Sequence, residues 1–211
     1  MLYAFCIYAV ILCNLHIAIR NRSMRSTGIK TRLSHAQWSL KPQDLAMALK
    51  LVCLAGEKFT YSDLASAMHM SRFEAHACMS RLSAARLLTD LEGAPALVMP
   101  AFRPLLLQGA PYFFPAVRGE LSVGFPTAYG VDPLKSKVLF ADELPPVWPH
   151  EDGTTRGVIL LPLYPKLPLA AKQDQALYEL LALFDALRIG QAREREMARA
   201  FLEDRLKRET P

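Results

Sequence analysis

Arg72, Phe73, His76, Ser80 and Arg81 follow one another at intervals of one, three, four and one residues. That spacing lines one face of an α-helix. The face carries guanidinium, imidazole and hydroxyl groups, which donate to base-edge acceptors and phosphate oxygens. Arg72 and His76 are the first candidates for base edges or nearby phosphates, with Phe73 and Ser80 supporting them. Arg81 and Arg86 suit phosphate contacts, and Ala77 leaves room for close approach. The competing reading is an ordinary solvated helix face.

Other chemistry is not written in the chain. No Gly-rich phosphate loop, nucleophile elbow, HExxH or kinase-type motif occurs. The four cysteines, Cys6, Cys13, Cys53 and Cys78, form no CxxC and no zinc-type spacing with the five histidines. His76 and Cys78 are two apart on a helix and diverge. A thiol sensor built on Cys53 and Cys78 is weaker than the reading of buried structural cysteines. No catalytic, cofactor-binding or metal-binding residue is assigned, and an enzyme is not expected.

The donor face must be positioned by the stretch Thr60–Leu88. Thr60 with Asp63, and Ser71 with Glu74, form two N-terminal capping patterns, the second in standard form. Between them lies only His69-Met70, enough for a turn. The pattern predicts helices over Tyr61–Met68 and Arg72–Ala85, joined as a helix-turn-helix. Ala75, Cys78, Met79, Leu82 and Ala85 form the inward face of the second. A preceding helix is predicted from Pro42, which suits a first helical position, to Ala55, with Leu45, Leu49, Val52 and Cys53 as its apolar stripe. Leu87-Leu88-Thr89 and Ala96-Leu97-Val98-Met99 flank Asp90–Pro95 as a strand–turn–strand hairpin. Its turn carries Asp90 and Glu92 and no Lys or Arg, unlike a hairpin that grips phosphate.

Lys41 to Met99 resembles the bacterial winged helix-turn-helix regulators of the broad MarR-like kind. Leu64-Ala65, Met70-Ser71-x-x-Glu74-Ala75, Leu82 and Arg86-Leu87-Leu88 carry the likeness. His69 stands where glycine is usual. The resemblance implies double-stranded DNA as partner, transcriptional regulation and a homodimer on two half-sites.

The expected fold class is mainly α (α+β). Its expected parts are 1–19, an apolar segment; 20–39, a basic linker; 40–99, the winged helix-turn-helix; 100–170, a Pro- and aromatic-rich wrapping or effector segment; and 171–208, a helical hairpin suited to dimerisation. Arg20–Asp90 holds 11 Lys/Arg against 5 Asp/Glu, within a chain of net charge +5. That asymmetry favours a polyanionic partner. Met1–Ile19 is just long enough to span a bilayer. Three readings of it stand: an anchor that leaves the rest cytoplasmic, an extension ahead of a start at Met24, or a helix packed on a partner. Without an anchor the protein is expected to be cytoplasmic.

In the proline-rich part, a brief helix over Phe102–Gln108 is expected, with short strands at Tyr112-Phe113-Phe114, Leu121-Ser122-Val123 and Val138-Leu139-Phe140. Pro145–Pro149 reads as a rigid extended segment. Tyr112, Phe114, Phe125, Tyr129 and Trp148 are candidates to line a small-molecule effector pocket, although core packing explains such aromatics more often. Helices are predicted over Asp174–Leu187 and Gln191–Lys207, and Met197, Phe201 and Leu202 give the last a narrow apolar seam. Arg188, Arg193 and Arg195 are either an anion site or solvated charges. An alternative function is a protein-interaction module, antitoxin-like or a complex subunit, that binds little DNA.

Overall fold

A computed structural model of the chain describes residues 39–54, 57–91, 94–137 and 144–208, all within one compact unit, Trp38–Pro211. Met1–Ile19, most of the basic stretch and the expected strand at 138–140 lie outside the described residues. The fold is mixed α and β. Among the described residues no helix is long and apolar enough to cross a membrane.

Three helices open the described part: α1 (Pro42–Cys53), α2 (Tyr61–Ala67) and α3 (Arg72–Ala84). α1 starts with a proline, whose missing N–H costs nothing in a first turn. Its Asp44 carboxylate accepts from the Lys41 N–H at 2.8 Å. α2 starts in a closed capping box. The Thr60 hydroxyl accepts from the Asp63 N–H at 3.2 Å, and the Asp63 carboxylate accepts from the Thr60 N–H at 2.8 Å. α3 starts at Ser71, whose hydroxyl accepts from the Glu74 N–H at 3.1 Å.

α2 and α3 both end in a left-handed residue. His69 has φ 49° and Arg86 φ 58°. Met70 N–H returns to the Ala65 carbonyl, and Leu87 N–H to the Leu82 carbonyl. Each closure is a Schellman ending of the kind glycine usually serves. Two strands, β1 (Leu88–Leu91) and β2 (Ala94–Leu97), then pair antiparallel with Leu88 opposite Leu97.

Between Met99 and Phe113 the chain is helical throughout: α4 (Met99–Pro104), a π-turn over Leu105–Gly109, and α5 (Ala110–Phe113). This corrects the brief helix and the strand at Tyr112–Phe114. Pro100 and Pro111 each fall in a helical first turn, where no N–H is needed, and the wide turn follows Pro104, which cannot donate.

β3 (Arg118–Pro126) is antiparallel to both β4 (Pro146–Pro149) and β5 (Thr155–Leu160), and β4 and β5 run parallel, which closes a small barrel. Gly124 and Gly157 are required here. A Cβ on Gly124 would stand 2.0 Å from the Trp148 carbonyl oxygen, and one on Gly157 would stand 2.0 Å from that of Pro145. α6 (Leu167–Gln173), α7 (Gln175–Ile189) and α8 (Ala192–Arg208) complete the chain.

One core runs through most of these elements. It joins Leu49 of α1, Leu64 of α2, Leu82 of α3, Phe102 of α4 and Phe184 of α7. α7 is buried along most of its length. At its centre the Asp185 carboxylate accepts from Thr127 Oγ1 at 2.7 Å, from Trp148 Nε1 at 2.8 Å and from the Arg188 guanidinium. A buried carboxylate is tolerated only when donors surround it in this way. Arg188 also donates to the Phe114 carbonyl, so it is an internal counterion and leaves the anion cluster sketched above. Of the expected α8 seam, Leu202 is buried within the chain together with Ala198 and Leu206, whereas Met197 and Phe201 are half-buried, and α8 lies along α7. Arg205 of α8 donates to Glu179 of α7 at 2.6 Å. The inner side of the seam is therefore occupied within the chain.

Candidate nucleic-acid interface

α3 is held from behind. Ala75, Cys78, Met79 and Leu82 are buried, and α1 and α2 both contact the helix. Its position is fixed further by a charged pair. Arg81 donates through Nε and a terminal nitrogen to the two Asp44 oxygens, at 2.7 and 2.6 Å. The Asp44 side chain is wholly buried and that of Arg81 is 13% exposed. The same guanidinium donates to Cys78 Sγ at 3.4 Å.

Arg81 therefore faces α1 and not solvent, which corrects its assignment as a phosphate contact. The pairing joins residues 37 apart in sequence, which helical periodicity within α3 cannot reveal. Cys78 follows the structural reading. Burial, then the neighbouring Asp44 carboxylate, pushes its thiol up to about 12, so it is not a thiolate at neutral pH.

Arg72, Phe73 and His76 are exposed on the outer face and Ser80 is half-buried. Phe73 is 85% exposed. The His76 ring lies 5.2 Å from that of Tyr61, tilted by 51°. Ser80 Oγ donates to the His76 carbonyl at 2.9 Å, a helix-internal bond at the edge of the exposed face. Arg86 is exposed at the helix exit. The structure thus presents Arg72, Phe73 and His76 together, adds Arg86 at the far end, and withdraws Arg81.

Two residues of this surface are not indicated by the α3 pattern. Tyr61 sits at the start of α2, where its ring meets His76. Gln43 of α1 donates to the Glu74 carboxylate at 3.0 Å. Glu74 is thereby engaged toward α1, and its capping pattern is only half closed, whereas the less standard Thr60–Asp63 pair closes fully.

An open groove of about 840 Å³ lies between α3 and the hairpin, lined by Tyr61, Met79, Ser80, Ser83, Thr89 and Asp90 among others. The hairpin offers Asp90 and the exposed Leu91. Charge is concentrated elsewhere. Ser39–Met99 holds six Lys/Arg and six Asp/Glu, whereas Arg20–Gln37 holds five and none.

The aromatic residues considered for an effector pocket do not share one surface. Trp148 is buried and bonded to Asp185, Phe125 is in the core, and Tyr112 is 80% exposed. Among the described residues, no group of three His, Cys, Asp or Glu side chains could hold a metal ion.

The class that fold and surface define is a mixed α/β protein with a three-helix unit and a two-stranded hairpin. Compared with protein-family models, with curated proteins and with solved structures, the chain matches none.

Proposed function

We propose that residues 41–99 form a winged helix-turn-helix of MarR-like type, and that the protein is a bacterial, cytoplasmic DNA-binding transcriptional regulator. α3 enters the major groove. Arg72 and His76 reach base edges or phosphates, Phe73 and Ser80 support them, and Arg86 contacts phosphate at the helix exit. The observation that carries this reading is the division of α3: one face is buried against two helices, and the other is exposed with a cation, an imidazole and an aromatic ring in one row.

The neutral balance of Ser39–Met99 assigns the long-range attraction to the basic stretch before it. A homodimer would bring two such helices to two half-sites.

A gel shift of the full chain on the DNA upstream of its own gene, at two salt concentrations, tests the reading. Saturable binding that weakens with salt supports it. No shift at either salt overturns it.

A second reading is favoured by the groove beside α3 and by the acidic hairpin: a protein-interaction module with little affinity for DNA. Co-purification of a stoichiometric protein partner, without any shift, distinguishes it.

A further inference from the structure

Phe73 is the second residue of α3 and stands 85% in solvent. It contributes nothing to the core, which is supplied by Ala75, Cys78, Met79 and Leu82 on the opposite face. Single exposed apolar side chains are common, but the surroundings of this one give it a direction. Arg72 precedes it and is exposed. His76 follows after three residues, beside the Tyr61 ring. Ala77 follows after four, too small to hold a facing surface away. The nearby Glu74 carboxylate is engaged by Gln43. The face thus places an apolar ring between groups that bond to acceptors, and five basic residues without an acidic one precede the unit in sequence.

The major groove offers one apolar group among its acceptors and donors, the C5-methyl of thymine. We propose, resting on the DNA reading above, that Phe73 is a specificity residue whose ring covers a thymine methyl in the major groove. Arg72 bonds to an acceptor next to it. The chemistry recognised is the methyl group itself, so the site distinguishes thymine from cytosine and from uracil at one position.

The test uses the full chain and duplexes selected by it from a random-sequence pool. Each thymine of the selected duplex is replaced in turn by deoxyuridine, which removes only the methyl. At one position the replacement weakens wild-type binding about fourfold, the transfer free energy of one methyl. Phe73→Ala binds thymine and deoxyuridine equally at that position, measured at low salt where affinity is highest. Phe73→Leu, which keeps an apolar contact, retains part of the discrimination. Because the side chain is exposed, Phe73→Ala melts with the wild type.

Two results overturn the proposal and leave DNA binding intact. In one, deoxyuridine has no effect at any thymine, as expected if the ring instead wedges between base steps. In the other, it weakens Phe73→Ala as much as wild type. If no duplex is selected at all, the DNA reading and this proposal fall together.

Discussion

Arg72 and Arg81 are both arginines on α3, and the structure gives them opposite work. Arg81 neutralises a buried carboxylate, so Arg81→Ala leaves Asp44 without its partner and destabilises the protein by about 3 kcal/mol. Urea unfolding measures this. Arg72→Ala removes an exposed side chain, and its melting temperature stays with the wild type. If Arg72 meets a phosphate, the slope of log affinity against log salt falls by about one in that variant. The row Arg72, Phe73, His76 is legible in the sequence because helical period alone sets it. The separation of Arg81 from that row is not, since its decisive partner lies on another helix.

At the scale of elements, the ends of α3 carry testable chemistry. Arg86 holds a left-handed backbone that disfavours any side chain by about 1 kcal/mol. Glycine removes that cost but gains freedom when unfolded, so Arg86→Gly keeps or slightly raises stability. If Arg86 meets phosphate, the same variant binds DNA more weakly, which separates fold from contact in one substitution.

The start of α7 is tied to α1 by Lys50 and Asp174 at 2.7 Å. Burial raises the Asp174 pKa, but the Leu177 N–H and Lys50 outweigh it and hold the carboxyl below its usual 3.8. Its contribution is complete above that value and is lost as pH falls through the lowered one. Asp174→Asn is therefore less stable than wild type by about 1 kcal/mol at pH 7. Denaturation in acid, below the folded pKa, shows the two chains converging.

Helices and caps were legible because each is a local pattern. The run Met99–Phe113 was not. Three prolines suggested interruption, and only the turn in which each falls shows that the helix can accommodate them.

For the molecule as a whole, the DNA reading makes the basic stretch before the compact unit the main source of non-specific attraction. Replacing Arg20, Arg22, Arg25, Lys30 and Arg32 with glutamine lowers the salt slope by up to about 4.5 if all five meet phosphates. Discrimination between duplex sequences by α3 remains. Light scattering of the full chain reports whether it dimerises, as the homodimer reading expects. The second half of the fold was the least legible part. The Asp185 cluster brings Thr127 and Trp148 to Asp185 and Arg188 of α7; helical period encodes only the last pair, and the other two meetings join separate parts of the chain.

The Asp44–Arg81 pair has a consequence for genetics. It sets which way α3 is turned about its own axis, so Asp44 governs what the helix displays without lying on the displayed face. A screen for loss of function would return Asp44 and Arg81 alleles beside those at Arg72 and Phe73. The first two would lose function on warming and recover it in the cold. The latter two would be defective at every temperature.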